Sequence, residues 1–161
     1  MKNIPLNISI RFCQTEELSE VENDLIKAAI DATDNAYAKY SQFQVGAAAL
    51  LESGECVIGA NQENAAYPSG LCAERTAIFS AQAQFPTQAV KMLAIAAKNK
   101  QGLLKNPITP CGACRQVILE IEDRYSQPIR ILLYGTKGVY LIDSVKDLLP
   151  LSFIADNMED L

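Results

Sequence analysis

Apolar positions change their period along this chain, and each change marks an element. Residues 7–14 alternate polar and apolar and predict a short leading strand. From Thr15, a plausible N-cap followed by Glu16 and Glu17, apolar side chains at Leu18, Val21, Leu25, Ala28, Ala29 and Ala32 recur at helical spacing. This predicts an amphipathic helix ending near Ala38. Apolar runs over 45–51 and 56–60 are separated by Glu52-Ser53-Gly54-Glu55, a hairpin signal in which Gly54 is available for positive φ. Helical spacing returns over 71–83. The nearly unbroken apolar run 91–97 suits a central strand buried on both faces, and a helix over 111–121 follows it. Two last strands, 129–134 and 139–142, are joined by Gly135-Thr136-Lys137-Gly138, far too short for a parallel crossover, so they are expected to be antiparallel. A short helix should begin near Asp143 or Ser144 and stop at Pro150.

No internal repeat or low-complexity linker interrupts this α/β alternation. The 161 residues, 49% hydrophobic and 20% charged, suffice for one core. One domain over 1–161 is expected, with 1–18 as an N-terminal extension and 155–161 as an acidic C-terminal tail. No stretch approaches the roughly 18 consecutive apolar residues of a membrane span, and the first residues lack the apolar core of a signal peptide. A soluble, cytoplasmic protein is the expectation. A net charge of −5 gives no basic field for a phosphate backbone, so a small-molecule substrate fits better than nucleic acid. The acidic groups Glu16-Glu17, Glu20, Glu22, Glu122-Asp123 and Glu159-Asp160 read as solvated faces and tails.

The chain has five cysteines and no histidine. That excludes Ser-His-Asp and Cys-His catalysis and leaves thiolates and carboxylates for any metal chemistry. Cys111-Gly112-Ala113-Cys114 follows Pro110 at a helix start, where spacing of three residues puts both sulfurs on one side of the first turn. By itself C-x-x-C also describes a redox pair. Cys72-Ala73-Glu74 opens the other core helix, so three sulfurs can converge. Three protein ligands leave a position for water, as catalytic zinc requires, whereas structural zinc normally takes four. Cys13 and Cys56 offer no obvious fourth ligand and read as inert buried thiols. Glu74 stands where a proton shuttle belongs. Arg75 and Arg115, each near a ligand, are candidates to offset the thiolate charge, Arg75 first.

Cys72-Ala73-Glu74-Arg75 followed by Pro110-Cys111-Gly112-Ala113-Cys114-Arg115-Gln116 resembles the zinc nucleoside deaminases in their three-cysteine variant. The segments Tyr40-Ser41-Gln42-Phe43-Gln44-Val45-Gly46-Ala47-Ala48 and Asn61-Gln62-Glu63-Asn64-Ala65-Ala66-Tyr67 are similar to the cytidine deaminase family in particular, and with Leu148-Leu149-Pro150 and Phe153 the likeness runs over about 25–153. It implies a three-layer α/β/α sandwich on a five-stranded mixed sheet, one Zn2+ per chain on Cys72, Cys111 and Cys114, and a homotetramer with shared active sites. It implies hydrolysis of cytidine and deoxycytidine to uridine and deoxyuridine with release of ammonia, a step of pyrimidine salvage, with Glu74 as base and then acid. By the same resemblance Phe43 packs on the base, Asn61 and Glu63 bind the ribose, the Ala73 backbone orients the reacting end, and Phe153 reaches a neighbour's site. Relatives that edit polynucleotides or tRNA run their last two strands parallel around a helix, which the four-residue connection here forbids.

Three other functions compete: a thiol oxidoreductase using Cys111 and Cys114, a non-catalytic module held by structural zinc, and a deaminase of an antibiotic aminopyrimidine nucleoside. The first leaves Glu74 idle and the second needs a fourth ligand. The third shares the chemistry but not the fit of Asn61 and Glu63 to ribose.

Overall fold

A computed structural model describes residues 1–159. Its centre is β4 (Val90–Asn99), flanked by antiparallel β2 (Gln44–Leu51) and by parallel β6 (Arg130–Gly135). β3 (Cys56–Ala60) pairs antiparallel with β2, and β7 (Gly138–Ile142) pairs antiparallel with β6. The sheet is mixed and its last two core strands are antiparallel, as the four-residue connection requires. Gly135 pairs with Gly138 around a turn at Thr136-Lys137. The sheet has seven strands where the resemblance implied five. The additions are peripheral: β1 (Arg11–Cys13) lies antiparallel on β7, and β5 (Gly102–Leu103) folds back on the end of β4. Of the expected leading strand over 7–14, three residues pair.

Alternation sends successive side chains to opposite faces, and both faces are covered. Leu93, Ile95, Ile131, Leu133, Ala47 and Ala49 meet α2 (Ala73–Gln84) and α3 (Gly112–Tyr125) through Ala77, Ile78, Ala81, Ile118 and Leu119. Ala94, Ala96, Ala48 and Leu132 meet α1 (Glu20–Ala32) through Leu25, Ile26 and Ala29. These are the three layers. A last short helix, α4 (Asp156–Glu159), lies within the segment expected only as an acidic tail, of which Asp160 and Leu161 lie outside the described residues.

The first helix begins later and stops earlier than its apolar period suggests. Residues Thr15–Glu17 form a separate 3-10 turn, Leu18 is extended, and Ser19 is the true N-cap. The Ser19 hydroxyl accepts from Glu22 N at 3.3 Å and the Glu22 carboxylate accepts from Ser19 N at 2.8 Å, a reciprocal capping box that outcompetes a cap at Thr15. The helix gives way to a 3-10 turn at Thr33–Asn35, short of Ala38. The expected helix after Asp143 is likewise a single 3-10 turn, Val145–Asp147, capped by Ser144.

Two acidic residues expected on solvated faces are buried. Glu22, besides capping α1, pairs with Arg130 at 2.7 Å. Glu122 accepts from Ile129 N and Val145 N, each at 2.9 Å, and from the Ser144 hydroxyl at 2.7 Å, joining the end of α3 to the strands beside it. Removing this carboxylate strands two main-chain donors in the interior. We expect Glu122→Ala to lower unfolding free energy by about 3 kcal/mol in urea titration. A loss below about 1 kcal/mol would mean the donors find other partners. Cys13 is half-buried and Cys56 exposed, so neither is the buried thiol expected: Cys56 faces out from the edge strand β3.

Gly59 explains how α2 comes so close to the sheet. A Cβ there would lie 2.3 Å from Ala77 N and 2.6 Å from Ala73 O, so only glycine admits the helix backbone.

Candidate active site

The first turns of α2 and α3 converge at one end of the sheet. Cys72 is the N-cap of α2 and Cys111 the N-cap of α3; both have extended backbones, and neither sulfur is spent on a cap hydrogen bond. Cys114 lies one turn into α3 and is fully buried, Cys72 is half-buried and Cys111 is exposed. The Sγ atoms of Cys72 and Cys111 are 3.8 Å apart, those of Cys111 and Cys114 3.4 Å, and all three lie within 4.8 Å of one another. A tetrahedral zinc with sulfur at about 2.3 Å separates its ligands by about 3.8 Å. The donors therefore fit zinc, and among the described residues no fourth histidine, cysteine or carboxylate joins the group.

Without an ion the sulfurs compete for protons. The neighbouring Cys114 thiol pulls the Cys72 thiol down to about 5, aided by Arg75, whose Nη2 donates to Cys72 Sγ at 3.7 Å. The same closeness to Cys72 pushes the Cys114 thiol up, and burial and the Glu74 charge add to it. A divalent cation binds such thiols as thiolates, taking the place of their protons. Arg115 points elsewhere. Its Nε donates to Pro110 O at 2.9 Å, its Nη1 to Leu148 O at 2.6 Å and its Nη2 to Thr109 Oγ1 at 3.3 Å, so of the two candidate arginines only Arg75 meets a sulfur.

Glu74, 5% exposed, projects from the first turn of α2 into a cleft of about 790 Å³. Burial raises its carboxyl pKa above the usual range, and the Cys72 thiolate adds to the rise. Phe43, Asn61, Glu63 and Ala73 line the same cleft, with Cys72 and Cys111 at its floor. The Asn61 carboxamide accepts from Val45 N at 2.8 Å and donates to Phe43 O at 2.9 Å, setting the turn that presents Phe43. The Glu63 carboxylate accepts from Tyr40 N at 2.6 Å; the Ser41 hydroxyl, then Tyr40 N, hold its pKa low. Phe153 is 60% exposed and does not line this cleft.

Ten further residues line the cleft beyond those the sequence assigns, among them Tyr40, Tyr67, Ile108 and Thr109. The tyrosine rings meet edge-on with centroids 6.5 Å apart. Both belong to the segments that carry the resemblance, which was the available signal. Ile108 and Thr109 carried none beyond preceding Pro110-Cys111.

Cysteine sulfurs gathered at two helix starts, with a buried carboxyl two residues beyond one of them, are how the three-cysteine zinc deaminases build their site, and this chain is of that class. The profile described as "Cytidine and deoxycytidylate deaminase zinc-binding region" matches residues 19–126, and the chain belongs to that family, with zinc as its cofactor. A cytidine deaminase of Halalkalibacterium halodurans is 41% identical over 136 residues, covering 84% of this chain and 96% of the relative. One from Sporosarcina psychrophila is 40% identical, covering 83% and 92%. The crystal structure of a cytidine deaminase from Burkholderia pseudomallei superposes with a TM-score of 0.71 at 38% identity, over 84% of this chain and all of that one.

Proposed function

We propose that the enzyme hydrolytically deaminates free cytidine and deoxycytidine, releasing ammonia and leaving uridine or deoxyuridine. The observation that carries this is the placement of Glu74: buried, beside a three-sulfur group with no fourth protein ligand among the described residues, and facing a nucleoside-sized cleft. Cys72, Cys111 and Cys114 are the ligands. When bound, zinc supplies the Lewis acidity that makes water a competent nucleophile at neutral pH. Glu74 takes a proton from the attacking water and gives it to N3 of the pyrimidine as C4 becomes tetrahedral, then takes the proton of the new C4 hydroxyl and gives it to the amine as the C4–N bond breaks and the C4 carbonyl forms. A carboxyl whose pKa is raised by burial is suited to both roles.

Phe43 packs on the base. Ala73 offers its backbone to the reacting end. Asn61, with one N–H and one lone pair left after bracing the Phe43 turn, and Glu63, held ionised, bind the ribose hydroxyls. Phe153, exposed and away from its own cleft, completes a neighbour's site in a homotetramer. We place the enzyme in the cytoplasm, as a step of pyrimidine salvage; no helix of the described residues is long and apolar enough to cross a membrane.

The deciding experiment adds purified protein to cytidine and follows uridine and ammonia together. Stoichiometric release of both supports the proposal; unchanged cytidine with one zinc bound per chain would defeat it. Arg75 serves this centre by donating to Cys72. Arg75→Ala is expected to keep the fold while binding zinc at least about tenfold more weakly in chelator competition. Wild-type zinc affinity together with wild-type turnover would remove Arg75 from the site.

A further inference from the structure

The two residues after Cys114 both reach out of α3 to the same stretch of chain. Arg115 Nη1 donates to Leu148 O at 2.6 Å and Gln116 Nε2 donates to Phe153 O at 2.8 Å. Between those carbonyls the chain has little else to hold it. Leu148 N closes on Val145 O and Asn157 N on Ile154 O, and between them residues 149–153 make a turn at Pro150-Leu151 and belong to no helix or strand. Leu151 is 90% exposed at φ +53° and Phe153 60% exposed, while Leu149 and Ile154 rest on the core. The same Arg115 guanidinium grips Thr109, a wall of the cleft, and Pro110, the residue before Cys111.

We infer that Arg115 and Gln116 are positioning residues that strap the segment 148–153 to the metal-bearing helix, so that Phe153 enters a neighbouring subunit's cleft from a fixed base. This rests on the neighbour contact proposed above for Phe153. An aromatic ring on an untethered segment loses conformational freedom each time it closes over a ligand. Two hydrogen bonds from α3 shift that ordering from substrate binding to folding. Because Arg115 also holds the cleft wall, the strap, the wall and the ligands Cys111 and Cys114 form one rigid body. The arginine at position 115 thereby has a use although it touches no sulfur.

A double-mutant cycle between Gln116→Ala and Phe153→Ala tests this. Gln116 is half-buried and not at the packed centre of the sheet, so the single variant should fold. Gln116→Ala is expected to raise KM for cytidine about fivefold, the equivalent of one lost hydrogen bond, with kcat within about twofold and one zinc per chain. Phe153→Ala raises KM by more, and the double variant matches Phe153→Ala alone, because a strap without its ring has nothing to deliver. Independently of catalysis, Gln116→Ala should speed amide hydrogen exchange over 149–155 but not over α3. If KM rises with Phe153→Ala and not with Gln116→Ala, or if the two effects multiply, the strap is wrong while the neighbour contact stands. If Phe153→Ala leaves KM unchanged, the neighbour contact is wrong and the strap falls with it.

Discussion

Glu74→Gln should fold, carry one zinc per chain, bind nucleoside and turn over about 10⁴-fold more slowly than the wild type. The size of the loss follows from how much of the chemistry passes through one carboxyl. In the proposed reaction the attacking water gives up both its protons in turn, the first to N3 and the second to the departing amine, while the chain contains no histidine to share the work. Glutamine has the shape of glutamate and fills the same buried position, but its amide neither accepts nor delivers a proton at neutral pH. Burial of Glu74 makes the substitution mild for the fold, since a neutral amide loses less on leaving water than a carboxylate does. Zinc content, thermal midpoint and nucleoside affinity therefore serve as internal controls, and kcat carries the result. A Glu74→Gln enzyme within tenfold of wild-type kcat would require another proton carrier, and the assignment of Glu74 would fail.

Where the sequence spoke clearly, one physical signal dominated. Five core strands were visible because each is a compact apolar run bounded by turn residues, and the antiparallel end of the sheet followed from chain length alone: Thr136-Lys137 cannot span a crossover. The start of α1 differs from the one its apolar period suggests because two caps compete in one apolar register. Thr15 and Ser19 both precede helical spacing, and the choice falls on Glu22, whose carboxylate returns to Ser19 N. That signature was present in the letters. The burial of Glu122 was not, since its partners Ile129, Ser144 and Val145 come from segments that only the finished fold brings together.

The site divides in the same way. Cysteine spacing predicted that sulfurs on two helix starts could meet, because capping geometry is local and the C-x-x-C pair shares one turn. The distinct fates of Arg75 and Arg115 are not local. Both stand within a turn of a cysteine of the three-sulfur group, yet Arg75 has Cys72 Sγ in reach while Arg115 is drawn off by the carbonyls of Pro110 and Leu148. The wall formed by Ile108 and Thr109 was illegible for the same reason: it is made by where a loop passes, and no residue type announces that.

Gly59→Ala should be nearly as damaging to zinc binding as loss of a ligand, although Gly59 touches neither the metal group nor the cleft. One added methyl would sit 2.3 Å from Ala77 N and 2.6 Å from Ala73 O, both of them backbone atoms of α2 that cannot rotate aside. Relief requires the helix to lift from β3 by an ångström or more, and the first turn of that helix carries Ala73 and Glu74 directly after Cys72. The Cys72 sulfur would then leave a group whose members must stay about 3.8 Å apart to share one ion. We expect Gly59→Ala to lose at least about 3 kcal/mol of stability and to bind zinc at least about 100-fold more weakly. Gly112 is the control. It lies between ligands in sequence, but a Cβ there meets nothing within 4 Å, and alanine is the better helix former. Gly112→Ala should therefore keep its zinc and its thermal midpoint. If the two variants behaved alike in chelator competition, the close seating of α2 on β3 would not be what aligns the sulfurs.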